Sequence, residues 1–184
     1  MFGDNYKILN ILEKIILEKY SLKEHKNSFM FVFDELMCNI KEHSKSKFNC
    51  IQAQMYGDKL AICLVDTGIT IPKNYVEQGL RGYETNIELL QLVFKGISTK
   101  PEKERGTGIP NTYNIICNGF IGAFLVISGD VGFLKLPGED IQFFDLNELG
   151  IRFDGTIINM LFEIPRKPIE IYDYINKPLD FSKS

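Results

Sequence analysis

Apolar side chains recur along this chain in two rhythms, and the switches between them divide it into elements. Residues 6–20 carry Ile8, Leu9, Ile11, Leu12, Ile15, Ile16 and Leu17. That density is too wide for one narrow stripe, so a helix here is expected to be buried against the domain or against another chain. Ser21, with Glu24 three residues on, offers a capping box for a second helix, and Asn27 or Ser28 is a competing start. This helix is expected to run to about Ser44, with Phe29, Phe33, Leu36, Met37 and Ile40 at core spacing. Period two then takes over. Residues 48–56 and 59–66 read as strands joined at Gly57-Asp58, a tight-turn signal between apolar-rich runs.

Gly68 and Pro72 interrupt the chain after the second strand, and the next helix is expected at 84–95, with Ile87, Leu89, Leu90, Leu92, Val93 and Phe94 inside. From 97 to 108 the sequence turns polar, proline-broken and glycine-ended, which reads as a mobile loop. Pro110 stands where a first helical residue is expected, and Asn118-Gly119 stops that helix after Cys117. Strands follow at 124–128 and 155–164. Between them we expect a short strand near 133–136 and a hairpin near 141–144. Residues 166–184 read as a packed extension.

Composition narrows the class. A length of 184 residues suits one domain with a sizeable core, and 45% hydrophobic with 24% charged residues is ordinary for a globular chain. A net charge of -3 leaves no electrostatic footprint for nucleic acid. No apolar run approaches the roughly 20 residues of a membrane span, and the start lacks a basic-then-apolar signal. A cytoplasmic protein without a membrane partner is therefore expected. Cys38, Cys50, Cys63 and Cys117 form no CxxC pair and are expected to be reduced core thiols.

Three short segments carry candidate chemistry. Helical spacing of four puts Glu35, Asn39 and His43 on the polar face of the second helix. Glu35 is a carboxylate able to act as a general base, and Asn39 has an amide oxygen able to join a magnesium shell otherwise made of phosphate and water. Such a face is also what any solvated helix presents. Asp66 ends the second strand two residues before Gly68. Its carboxylate is an acceptor suited to an exocyclic amino group such as that of adenine, and Gly68 permits a close backbone approach. An aspartate before a glycine is equally a common turn-former. Gly106, Thr107 and Gly108 precede a helix start, an arrangement suited to phosphate oxygens or to a plain loop-to-helix junction. Lys100 and Arg105 add cationic groups to that loop.

Taken in this chain order, the segments resemble the GHKL superfamily, the ATP-binding domain shared by type II topoisomerases, mismatch-repair ATPases, sensor histidine kinases and anti-sigma-factor serine kinases. Asp-Glu-Leu-Met-Cys-Asn-Ile-Lys-Glu-His-Ser at 34–44 is similar to the N-box, Leu-Val-Asp-Thr-Gly-Ile-Thr-Ile-Pro at 64–72 to the first glycine box, and 97–109 to the ATP lid and second glycine box. Gly155-Thr156 resembles the closing Gly-Thr strand. Two departures stand out: Thr70 replaces the second glycine of the first box, and Ile109-Pro110 stands where a third glycine is frequent in the second.

The resemblance covers about 29–165. It implies an α+β fold, a two-layer α/β sandwich of the Bergerat (histidine kinase-like ATPase) type with a mixed sheet and helices on one face. Residues 1–28 would be an N-terminal helical extension and 166–184 a C-terminal one. ATP and Mg2+ are the implied cofactors. Glu35 is the implied base and Asn39 the implied metal ligand. Asp66 and Gly68 are placed at the adenine, and Lys100, Gly106, Thr107, Gly108 and Thr156 join the binding set. A single-domain chain of this kind resembles the anti-sigma kinases, so the expected activity is an ATP-dependent protein kinase or ATPase acting on a partner protein. A non-catalytic nucleotide switch is the alternative, and a homodimer through the 6–20 helix is a further expectation.

Overall fold

The computed structural model describes residues 14, 25–97, 108–165, 167–177 and 179. The expected helix at 6–20, most of the loop at 97–108, and the candidate residues Lys100, Gly106 and Thr107 lie outside them.

Helix α1, Lys26–Asn39, forms because its apolar residues repeat at helical spacing, and Phe29, Val32, Phe33, Leu36 and Met37 are buried. After Asn39 it widens into π-type turns at Ile40–Ser44 and ends at Lys45, which has φ 51. Strands β1 (Asn49–Tyr56) and β2 (Lys59–Asp66) pair without a bulge across a two-residue turn, Gly57 supplying the positive φ of 64. Helix α2 is Ile71–Glu77 and α3 is Asn86–Phe94, the latter opened by a full capping box of Thr85 and Glu88. Helix α4, Gly108–Tyr113, continues in π-type turns to Gly119. Strands β3 (Ala123–Gly129), β4 (Val131–Lys135), β5 (Gln142–Asp145) and β6 (Phe153–Glu163) complete the order.

The result is an α+β architecture. Its six-stranded sheet has the order β1-β2-β6-β3-β4-β5, and every neighbouring pair is antiparallel. The expectation of a mixed sheet is thus corrected among the described strands. Both halves are built from hairpin connections, and β6 runs opposite to each half it joins. Alternation along the strands makes one face of the sheet the core: Leu60, Ile62 and Leu64 of β2, Phe124 and Val126 of β3, and Ile158, Met160 and Phe162 of β6 are buried together with the apolar sides of the helices. Phe94 stacks on Phe133 at 3.9 Å between ring centroids, tying α3 to β4.

Three further expectations are corrected. Pro72 does not simply break the chain. Thr70 caps α2, accepting from Lys73 N at 3.3 Å, and Pro72 occupies the first turn, where its missing N–H costs nothing. Residues 141–144 are not a hairpin in themselves; they contribute one strand, β5, whose partner is β4. The cysteines are free, but Cys38 and Cys50 are exposed and Cys63 and Cys117 half-buried, so none is a fully buried thiol. Residues 167–177 are tied to α4: Asn176 N donates to Asn111 Oδ1 at 2.8 Å and Asn114 Nδ2 to the Lys177 carbonyl at 2.7 Å. No helix among the described residues is long and apolar enough to cross a membrane.

Candidate functional site

A cleft opens between the helical layer and the end of the sheet where β2 finishes. Its empty space is about 790 Å³, open mouth included. Leu36 and Ile40 of α1, Leu64 of β2, Ile69, Ile71, Val93, Ile109 and Ile158 make its wall apolar. Asn39, Ser44, Asp66, Asn74, Tyr75 and Thr156 supply the polar groups, and Gly108 the backbone approach. A mostly apolar cleft with a few convergent polar groups is the usual form of a small-molecule site.

Asp66 is the last residue of β2, only 4% exposed, and its Oδ1 accepts from Gly68 N at 2.8 Å. Burial pushes its carboxyl above the ordinary 3.8, and the Gly68 hydrogen bond opposes that rise. Across the sheet it faces Thr156 of β6, whose Oγ1 is 2.9 Å from Ser128 Oγ. Ser128 Oγ also accepts from Ile71 N at 2.8 Å and reaches the Gly155 carbonyl at 3.2 Å. One buried serine therefore fixes the start of α2, β3 and β6 to one another beside Asp66. Gly155 makes the approach possible: with φ +140, a Cβ there would fall on the Asp66 carbonyl.

Glu35 and Asn39 converge on Gly108. A Cβ at Gly108 would lie 2.7 Å from both Glu35 Oε2 and Asn39 Nδ2, so the glycine lets the start of α4 close over this face of α1 with both side chain ends left where they are. Asn39 Nδ2 is buried without a hydrogen-bond partner, as are His25 Nδ1 and Thr112 Oγ1 among the described residues. Of these three, Asn39 alone belongs to the cleft lining. Among the described residues no three His, Cys, Asp or Glu side chains gather as a metal site.

Of the candidate residues, then, Asn39, Asp66, Gly108 and Thr156 line one cleft, and Glu35 lies at its Gly108 end without joining the lining. Gly68 allows the close backbone approach expected of it, and the chain itself makes that approach. Its missing side chain makes room for the Ser44 carbonyl, to which Ile69 N donates at 2.5 Å, so it seats the loop after β2 against the end of α1. The π-type turns begin straight after Asn39, so the spacing used for Glu35 and Asn39 no longer holds at His43, whose side chain is outside the described residues. Sequence reasoning missed Ser128, Asn74 and Tyr75. Thr70 followed by Pro72 was a readable helix-start signal for the last two; Ser128 has none, because its role is set by neighbouring strands. A scan against protein-family models finds none that matches the chain, and the curated proteins give no match.

Proposed function

We propose that this chain is an ATP-binding domain of the GHKL, Bergerat-type class, acting as an ATP-dependent protein kinase or ATPase on a partner protein. The observation that carries the reading is a buried carboxylate, Asp66, set in an apolar cleft. An acceptor in such a wall favours a flat ligand that brings its own N–H donor, and the adenine amino group is one. Asn39 supports the phosphate end. As oriented it offers an unpartnered donor to a phosphate oxygen; turned about its last torsion it offers the oxygen that a magnesium ion takes. Bound magnesium would neutralise charge on the phosphates. Glu35, beside the same glycine, would be the base toward a water or hydroxyl. The non-catalytic switch has one observation in its favour, that Glu35 does not line the cleft.

Calorimetric titration with ATP and magnesium tests the reading. Wild type should bind, and Asp66→Asn should weaken binding by about 1.5–3 kcal/mol, the scale of a hydrogen bond to a charged group. Equal affinity in both removes Asp66 as the reader. Glu35→Ala should keep ATP and lose about 10²–10⁴-fold in turnover. Wild type that binds ATP but never turns it over, with any partner offered, leaves the switch.

A further inference from the structure

Among the described residues, the two edge strands of the sheet, β1 and β5, are built differently. β5 is short, Gln142–Asp145, and ends in a charge. β1 is twice as long, pairs with β2 without irregularity, and from Phe48 to Gly57 holds neither a charged residue nor a proline. Edges left in water are normally blunted by charge, proline or a bulge, and this one has none of them. Its ends carry two exposed aromatics, Phe48 (59%) and Tyr56 (56%).

The geometry points to a second copy of this chain as the occupant of that edge: we propose that β1 pairs antiparallel with β1 of another molecule about a two-fold axis through Gln52. The turn at Gly57-Asp58 makes Tyr56 and Lys59 a hydrogen-bonded pair, and Thr67 N donates to the Phe48 carbonyl at 3.1 Å. Even-numbered residues therefore bond inward to β2. Asn49, Ile51, Ala53 and Met55 aim their N–H and C=O groups outward. About the Gln52 axis, Ile51 meets Ala53 and Asn49 meets Met55 of the second copy as hydrogen-bonded pairs. Phe48 comes opposite Tyr56 at both ends, an aromatic cross-strand pair on the solvent face. Two-fold symmetry places like against like at the centre, which a neutral strand tolerates and a charged one does not. That charge match favours a second copy over a charged partner strand. A ladder of nine residues a side, 48–56, is small beside the roughly 1,000 Å² of a lasting interface, so the dimer should dissociate on dilution.

Sedimentation equilibrium of the full chain is the first test, with a concentration-dependent dimer expected. Gln52→Lys sets two like charges directly opposite each other and should give monomer at concentrations where wild type is dimeric. The register is tested in Cys50→Ser/Gln52→Cys. The introduced cysteine faces its copy at about 4.5 Å between Cα atoms, within disulfide range, so diamide should yield one covalent dimer that Cys50→Ser alone does not. Hydrogen exchange at Ile51, Ala53 and Met55 should slow with rising concentration. Any of three results overturns the proposal. One is a monomer with fast exchange on this edge. Another is protection independent of concentration, meaning that the chain's own ends cover β1. The third is a dimer that Gln52→Lys leaves intact and that fails to crosslink, which puts the interface elsewhere.

Discussion

Asp66 closes β2 and Asp130 follows directly on β3, and both are nearly shut off from solvent, 4% and 6% exposed, yet their environments treat a negative charge in opposite ways. β2 and β3 run in the same direction on either side of β6, so the two carboxylates emerge at one end of the sheet. Asp130 is provided for. Its Oδ1 accepts from Asn86 Nδ2 at 2.8 Å and its Oδ2 from Asn147 Nδ2 at 3.0 Å, with Arg152 Nη1 at 3.6 Å. Burial pushes its carboxyl upward, but the Asn147 and Asn86 bonds, a backbone bond and the Arg152 charge together hold it below 3.8. Asp66 has the Gly68 bond and, among the described residues, no ion pair, so burial wins and its carboxyl rises. A carboxylate supplied with donors on both oxygens is a structural joint. One left with acceptor capacity beside a cleft is a candidate for binding.

The largest effect is expected where the backbone holds each aspartate in place. Gly155→Ala puts a Cβ onto the Asp66 carbonyl at φ +140 and should cost more than about 3 kcal/mol in urea unfolding. Gly129→Ala, on the Asp130 side, meets only Thr70 Cγ2 at 3.2 Å with φ +71 and should cost about 1–2 kcal/mol. Equal costs would mean that β6 does not hold Asp66.

Asp130→Ala comes next. It strands the Asn86 and Asn147 amides and should cost about 2–3 kcal/mol at neutral pH. Because the folded carboxyl is depressed, this contribution is present above 3.8 and is lost as pH falls through the folded value. The deficit of the variant should shrink accordingly in unfolding curves taken down the acid range, and a pH-independent deficit would assign it to packing alone.

Asp66→Asn should be the smallest effect and of opposite sign. The amide oxygen can still accept from Gly68 N while the desolvated charge is gone, so the ligand-free protein should gain about 0.5–2 kcal/mol at neutral pH. Asp66 holds its proton more tightly folded than unfolded. Its proton-linked contribution is full below 3.8 and is lost as pH rises through the elevated folded value, which is the window where the gain of Asp66→Asn should appear. A loss of stability at neutral pH, like that expected for Asp130→Ala, would erase the distinction between the two sites.

Local pattern was a good guide wherever neighbours in sequence are neighbours in space. The β1–β2 hairpin, the end of α1 at Ser44, and α3 within two residues of its ends all follow from period, turn chemistry and capping. Asn39, Asp66 and Gly108 were each legible as chemistry and Thr156 through the family resemblance, and the cleft that gathers them adds what spacing cannot, their convergence on one cavity. The antiparallel sense of the sheet was not legible, because it depends on which strands meet β6. Ser128 was hidden for the same reason: its hydrogen bonds reach α2 and β6, far away in the chain. Thr70 looked like a lost glycine in a ligand loop, whereas its hydroxyl is occupied as the cap of α2. Gly68 is legible as a site of close backbone approach, but that the approaching group is the Ser44 carbonyl depends on how the end of α1 folds back on the loop after β2.

The central position of β6 has a temporal consequence. Asp66 cannot find Thr156, nor Lys59 find Glu163, until nearly all of the domain has been synthesised. On a ribosome the β1–β2 hairpin and the β3–β4–β5 meander emerge earlier as two half-sheets, each with an inner edge and an apolar face waiting for a strand not yet made. Completion is a single late, long-range event of high contact order, so the nascent chain should draw on chaperone protection until Glu163 clears the exit tunnel, and the cleft beside Asp66 can exist only after that moment.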